Sequence, residues 1–252
     1  MHRIKKPTIL VATIFASFFF IFATSRHADK KNITVAVTAS AVDSMAAGSD
    51  EAAANESSAL YSEMNLGSMG MKQDVFSTAI QGFKKLISRG EVSNNHMITI
   101  ADFSQPSTQK RLYVVDLDSK KVLFNTLVAH GKNTGKLWAT SFSNSASSLK
   151  SSPGFYVTEN TYDGDNGFSL RLNGLEKNIN DNALSRAVVM HGAPYVNEAF
   201  ANSKGFLGRS WGCPAIPTAQ TKAIINTIKD GSCLFIYTTE NNYLQRSSVL
   251  NS

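Results

Sequence analysis

The apolar residues of this chain come in short runs separated by turn-forming clusters, and that spacing commits most of its length to a β-sheet. Met97–Ala101 alternates apolar and small or polar residues. Arg111–Val115 and Val122–Ala129 flank Asp116–Lys121, a connection of hairpin character. Gly154–Thr158, Phe168–Leu172, Ala187–His191 and Cys233–Thr238 continue the series. Two stretches break the pattern with helical spacing. Met71–Ser88 carries Val75, Phe76, Ala79, Ile80, Phe83, Leu86 and Ile87 on one face, with Arg89-Gly90 to close it. Ala219–Lys229 places Ala223, Ile224, Ile225 and Ile228 inward, with Thr218 as cap and Gly231 just past the end. The expectation is one mainly β domain with peripheral helices over residues 71–240, large enough for a sizeable core. There is no internal repeat.

The first residues address a different question. Arg3, Lys5 and Lys6 precede an unbroken apolar and small-residue run from Thr8 to Ala23. A basic start followed by a run shorter than the roughly 20 apolar residues of a membrane span reads as a secretory signal over 1–25. Ala23-Thr24-Ser25 offers small residues for cleavage; left uncleaved, the segment is a membrane tether. The chain is then exported, to the periplasm or cell envelope. Residues 26–70, rich in Ala, Ser, Asn, Met and Gly, read as a flexible spacer.

The formal net charge of +6 is unevenly distributed. Residues 1–31 carry +5, residues 32–66 carry −5, and the remainder carries +6. No run of Lys or Arg lies outside the first segment, which argues against nucleic acid as a partner. Asp163–Gly167 imitates the start of a calcium loop, but Gly174 stands where the bidentate Glu belongs, so a turn between strands is expected instead. No zinc-ligand spacing and no phosphate-cradling glycine motif occurs, so neither metal nor cofactor is expected.

Two cysteines remain. Cys233 lies in Cys233–Tyr237, a buried-strand pattern in which a thiol acts as a small hydrophobe. Cys213 sits in the glycine-flanked stretch Gly208–Pro214. Two environments suggest two jobs and no disulfide. A thiol needs a base before it becomes a nucleophile. His191 ends an apolar strand and is followed by Gly192, a placement suited to a general base; His130-Gly131 is its rival. Amides around Gly212 and Cys213 are candidates for an oxyanion site. The polar, serine-rich segment Gly131–Pro153 is long enough to be a functional loop beside the site.

His191-Gly192 followed by Ser210-Trp211-Gly212-Cys213 resembles the signature of YkuD-type L,D-transpeptidases, in particular the murein L,D-transpeptidase catalytic domain branch with its Ser-x-Gly-Cys-Pro-Ala ending. The likeness extends over about residues 95–239 and includes Lys110–Asp116, Ala129–Gly131 and Ala139–Ser143. It implies an L,D-transpeptidase-like β-sandwich and a part in cell-wall biogenesis and cell shape. The substrate it implies is the stem peptide of peptidoglycan. Cys213 would attack the carbonyl of the third stem residue and release D-Ala. An amine of a neighbouring stem would take the acyl group. By the same resemblance His191 activates the thiol, the Gly192 carbonyl orients the imidazole, and amides beside the cysteine hold the oxyanion. Ser210 matches the motif serine or threonine. Arg209 is a candidate grip for a carboxylate, and Tyr195 and Trp211 are candidate walls of the groove, with at least one expected to pack inward. Where many members carry Arg or Asn after the cysteine, this chain has Pro214-Ala215. Resolution of the thioester by water would make the enzyme an L,D-carboxypeptidase or endopeptidase. A non-enzymatic wall-binding domain with a structural Cys213 is the remaining alternative.

Overall fold

The computed structural model describes residues 54–252. The expected signal segment 1–25, and the spacer as far as residue 53, lie outside the described residues. A helix over residues 54–63 (α1) leads through a short 3-10 turn, Leu66–Met69, into α2, Gln73–Ser88. Eight strands follow in one sheet: β1 Met97–Asp102, β2 Leu112–Asp116, β3 Lys121–Thr126, β4 Gly154–Gly164, β5 Gly167–Gly174, β6 Val189–Ala193, β7 Ala215–Pro217 and β8 Cys233–Tyr237. Helix α3, Glu198–Lys204, precedes β7; α4, Thr218–Ile228, follows it; α5, Tyr243–Arg246, ends the fold.

The spatial order is β3-β2-β1-β8-β4-β5-β6-β7. Most neighbours are antiparallel, but β1 with β8 and β6 with β7 are parallel. Alternation along the strands feeds two cores. Ile98, Ile100, Phe155 and Phe235 face α2, whose Val75, Phe76, Ala79, Ile80, Phe83 and Leu86 are buried against them. Phe155 and Phe235 stack with ring centroids 4.1 Å apart. On the other face Met97, Val114, Tyr156, Leu170, Leu172, Met190, Ile216 and Leu234 join Ile224, Ile225 and Ile228 of α4 in one cluster. Residues from both ends of the strand order share that cluster, so the sheet is folded over on itself into the expected mainly β sandwich with peripheral helices.

The fold closes where its edges meet. Ala129, three residues past edge strand β3, bridges to Ala215 of the opposite edge strand β7 through N–H···O bonds of 2.8 and 3.4 Å. Gly131 continues the contact with Ser210. The chain around Cys213 is thus stitched to the segment that carries His130.

Several sequence expectations need correction. The end of the spacer is folded: residues 54–63 are helical, and Ser57, Met64 and Leu66 are buried against α2 and the core. The domain also runs past residue 240, because Tyr243, Val249 and Leu250 are buried in the same core. Thr218 does not cap α4; it is the first residue of the helix, and Pro217 stands at the cap position without a side-chain bond. Ala223 is exposed, and Thr221 takes its place on the inner face. Asp163–Gly167 is the tip of the β4–β5 hairpin, as its turn residues suggest. No group of acids, histidines or cysteines among the described residues could hold a metal. No described helix is long and apolar enough to cross a membrane.

Candidate active site

Cys213 lies between Ser210 and β7, and its local backbone is shaped by one hydroxyl. Ser210 Oγ donates to the Cys213 carbonyl at 2.6 Å and accepts the Gly212 N–H at 3.1 Å. Gly212 has φ +134°, a region in which a Cβ is strained, and a Cβ there would lie 2.9 Å from the Lys150 carbonyl oxygen. Its own carbonyl accepts Ser151 Oγ at 3.0 Å, and Ser151 Oγ accepts the Gly131 N–H at 3.0 Å. The polar segment 131–153 therefore borders Cys213. Gly212 N–H is spent on Ser210, whereas the N–H of Cys213 faces its own sulfur.

Cys213 is half-buried, and the polar contacts of its sulfur come from the start of β6 and the turn before it. Val189 N–H points at Sγ at 3.5 Å, and the Ala187 carbonyl lies 3.8 Å away. Burial pushes the thiol above its usual range; the Val189 amide and the Arg186 charge pull the other way. Cys233 is fully buried in β8 with its thiol pushed well up by burial, and both cysteines are free.

His191 sits in β6, paired in parallel register with Ala215 two residues beyond the cysteine. The side chain is 5% exposed, and burial holds the imidazole below its ordinary value. Nδ1 lies 3.0 Å from the Gly192 carbonyl, which fixes the proton on Nδ1 and leaves Nε2 as the basic nitrogen. No hydrogen bond joins the imidazole to Sγ among the described residues. The β6–β7 pairing brings the histidine's strand alongside the strand that follows the cysteine.

The rival histidine has another role. His130 is fully buried and accepts Arg111 Nη2 on Nδ1 at 2.8 Å. Arg111 is itself fully buried; it donates to the carbonyls of Val128 and Gln105 and lies 4.6 Å over the Phe103 ring. Burial and the neighbouring guanidinium push His130 down to about 3, so it stays neutral. It braces the closing segment from behind. His96 pairs with Asp116 on the surface, at 3.2 Å.

Tyr195 and Trp211 differ in burial. Tyr195 packs beside the Val196, Ala201 and Leu207 cluster, with Gly208 pressed against its ring, and its hydroxyl is pushed up to about 12 by burial and then by Cys213. Trp211, two residues from the nucleophile candidate, is 78% exposed. Arg209 donates to the carbonyls of Lys132 and Gly135 at 3.1 and 3.2 Å and lies 5.6 Å from the centre of the Phe206 ring. Sequence reading missed Arg186 and Ser151, whose contacts to residues 143–152 and to Gly212 leave no mark in local pattern.

A model of the L,D-transpeptidase catalytic domain matches residues 68–237. The chain belongs to the L,D-transpeptidase catalytic domain family. Solved structures with a similar chain path include an L,D-transpeptidase from Mycobacterium smegmatis, at 12% identity and TM-score 0.37, over 57% of this chain and 59% of that one. The helical cell shape determining protein Pgp2 from Campylobacter jejuni matches at 16% identity and TM-score 0.38, over 64% and 57%. An L,D-transpeptidase from Stackebrandtia nassauensis matches at 14% and 0.36, over 66% and 68%. The chain thus spans about three fifths of the length of the first of these. No curated protein matches.

Proposed function

We propose that this transpeptidase-family domain is an exported cysteine acyltransferase that remodels peptidoglycan stem peptides. The observation that carries the reading is the β6–β7 pairing, which sets His191 beside the strand that begins two residues after Cys213. The Gly192 carbonyl supports it by holding Nδ1, so that Nε2 is free to act as a base. A side-chain shift that brings Nε2 to Sγ lets the thiol proton pass to the imidazole. The thiolate attacks the carbonyl that links the third stem residue to D-Ala. The oxyanion takes the Cys213 N–H, the imidazolium returns its proton to the departing D-Ala amine, and a thioester remains. An amine of a neighbouring stem then attacks the thioester, gives its proton to His191, and restores the thiolate. Arg209 and the exposed Trp211, both in the short stretch before Cys213, are the candidate contacts for an anionic peptide. The basic-then-apolar start supports export through a cleaved signal or, left uncleaved, a membrane tether. No cofactor or metal takes part in this scheme.

Incubation of the purified chain with disaccharide-tetrapeptide, followed by intact mass, tests it. D-Ala release with a thioester adduct on wild type and neither on Cys213→Ala is the expected result. A Cys213→Ala protein that still releases D-Ala would overturn it. Product mass separates a cross-linked dimer from a tripeptide produced by water.

A further inference from the structure

We propose that Arg186 is a positioning residue for the Cys213 thiolate: its guanidinium, tied down by the polar loop, keeps a fixed positive charge against the cysteine loop, and the turn it belongs to aims two backbone groups at Sγ. The inference rests on the reading of Cys213 as the nucleophile. Arg186 donates from Nη1 to the Ser143 carbonyl at 3.0 Å and Ser152 Oγ at 2.6 Å, and from Nη2 to the Lys150 carbonyl at 2.6 Å and Ser148 Oγ at 3.3 Å. All four acceptors are neutral oxygens. Arg186 appears in none of the ion pairs among the described residues, so its charge is not cancelled by a carboxylate. Nη2 would lie only 3.3 Å from a Cβ on Gly212, the residue next to the nucleophile. The charge is therefore local to the cysteine loop and held rigidly.

The next residues complete the device. Ala187 has φ +52°, a left-handed conformation that is strained for a residue with a Cβ. That turn is closed by Ala187 N–H to the Leu184 carbonyl at 3.0 Å and Val188 N–H to the Ala183 carbonyl at 2.9 Å. It places the Ala187 carbonyl where it can accept the S–H and the Val189 N–H where it can donate to S⁻. Both protonation states of the sulfur thus meet a backbone partner, and the guanidinium favours the ionised one. The other titratable groups near the sulfur are weaker sources of this charge: burial lowers the His191 imidazole below its ordinary value, and Tyr195 is a partly buried phenol whose hydroxyl is raised. Arg209 is directed at the Lys132 and Gly135 carbonyls, and Lys150 Nζ at Ser141 Oγ. The residues after the nucleophile, Pro214 and Ala215, carry no charge.

The test is the pH midpoint of Cys213 alkylation by iodoacetamide in the full chain, read by peptide mass so that Cys233 is followed separately. It needs no stem peptide, so it succeeds or fails independently of the acyl-transfer reading. Arg186→Gln is expected to raise the midpoint by about one pH unit, which slows alkylation near neutral pH about tenfold. Arg186→Lys keeps the charge and is expected to hold the midpoint near wild type while lowering the melting temperature through lost loop contacts. Ser152→Ala removes one loop contact without touching the charge and should leave the midpoint alone. An unchanged midpoint in Arg186→Gln overturns the proposal, and so does a Ser152→Ala shift of equal size. If Arg186→Gln fails to fold, Arg186→Lys decides: a midpoint a full unit above wild type rejects the fixed-charge role.

Discussion

Ser210 lets one hydroxyl serve two backbone groups, and the cysteine loop depends on both bonds. Replacing it with Ala strands the buried Gly212 N–H and frees the Cys213 carbonyl. An unmet buried donor costs about 1–3 kcal/mol. Ser210→Ala should therefore melt several degrees lower and lose most D-Ala release, whereas Ser210→Thr, which keeps the hydroxyl, should retain both; differential scanning calorimetry and the release assay check this. Gly192 makes a second residue-scale case. A Cβ there would lie 2.3 Å from Thr221 Oγ1, so Gly192→Ala pushes α4 away from β6 and turns the carbonyl that holds His191. Such overpacking costs about 1–3 kcal/mol. Adding Thr221→Ala removes the clash and should restore part of the melting temperature. The motif residues were legible because each carries chemistry in its side chain or lacks a Cβ where the backbone is crowded. Arg186 and Ser151 were not, since they act on Gly212 and Cys213 only after chain closure brings residues 143–152 across.

Elements that define the domain's limits were the least legible. The strands and α2 announced themselves through period 2 and period 3.6, and their observed bounds fall within a few residues of the pattern except for β4, whose outer half extends into solvent as a hairpin arm. Helix α1, α5 and the tail after it have too few apolar residues to show a period, yet they cover core side chains. β7 has three residues, one of them Pro217, and is visible only through its pairing with β6. The tail is held by a buried carboxylate. Glu176 accepts the Phe155 N–H at 2.8 Å and the Tyr243 hydroxyl at 3.0 Å, and bonds Ser247 Oγ as well. That joins α5 to the start of β4, a few residues after Ser151, which supports Gly212. Removing residues 243–252 exposes what Tyr243, Val249 and Leu250 cover and leaves Glu176 short of two partners. At about 1.5–3 kcal/mol per buried side chain, the truncated chain should melt at least ~10 °C lower, if it folds at all. A melting temperature within two or three degrees of the full chain, measured by circular dichroism, would contradict this.

At the scale of the molecule, the sheet closes through a segment that a neutral histidine braces, and this gives the fold an acid limit. His130 is held at about 3 against an ordinary 6.5 by burial and by Arg111, and His191 is lowered by burial. Below pH 6.5 the unfolded chain therefore binds protons that the folded chain refuses, so stability is full above that pH and is lost as pH falls toward 3. Glu176 works in the opposite sense. Burial raises its carboxyl above 4.5, so its contribution is present at low pH and is lost as pH rises through the folded value. Two imidazoles against one carboxyl predict a net fall on acidification, with each pH unit of His130 mismatch worth about 1.4 kcal/mol. The urea midpoint should drop between pH 7.5 and pH 5, because both imidazoles take up protons in the unfolded chain over that range while Glu176 alone works against them. His130→Asn keeps an oxygen acceptor for Arg111 and cannot titrate. It should be less stable at pH 7.5, because the edge contact with Phe103 at 5.9 Å is lost, but its drop to pH 5 should be visibly shallower. An undiminished drop in His130→Asn would show that the brace behind the cysteine loop does not set the acid limit.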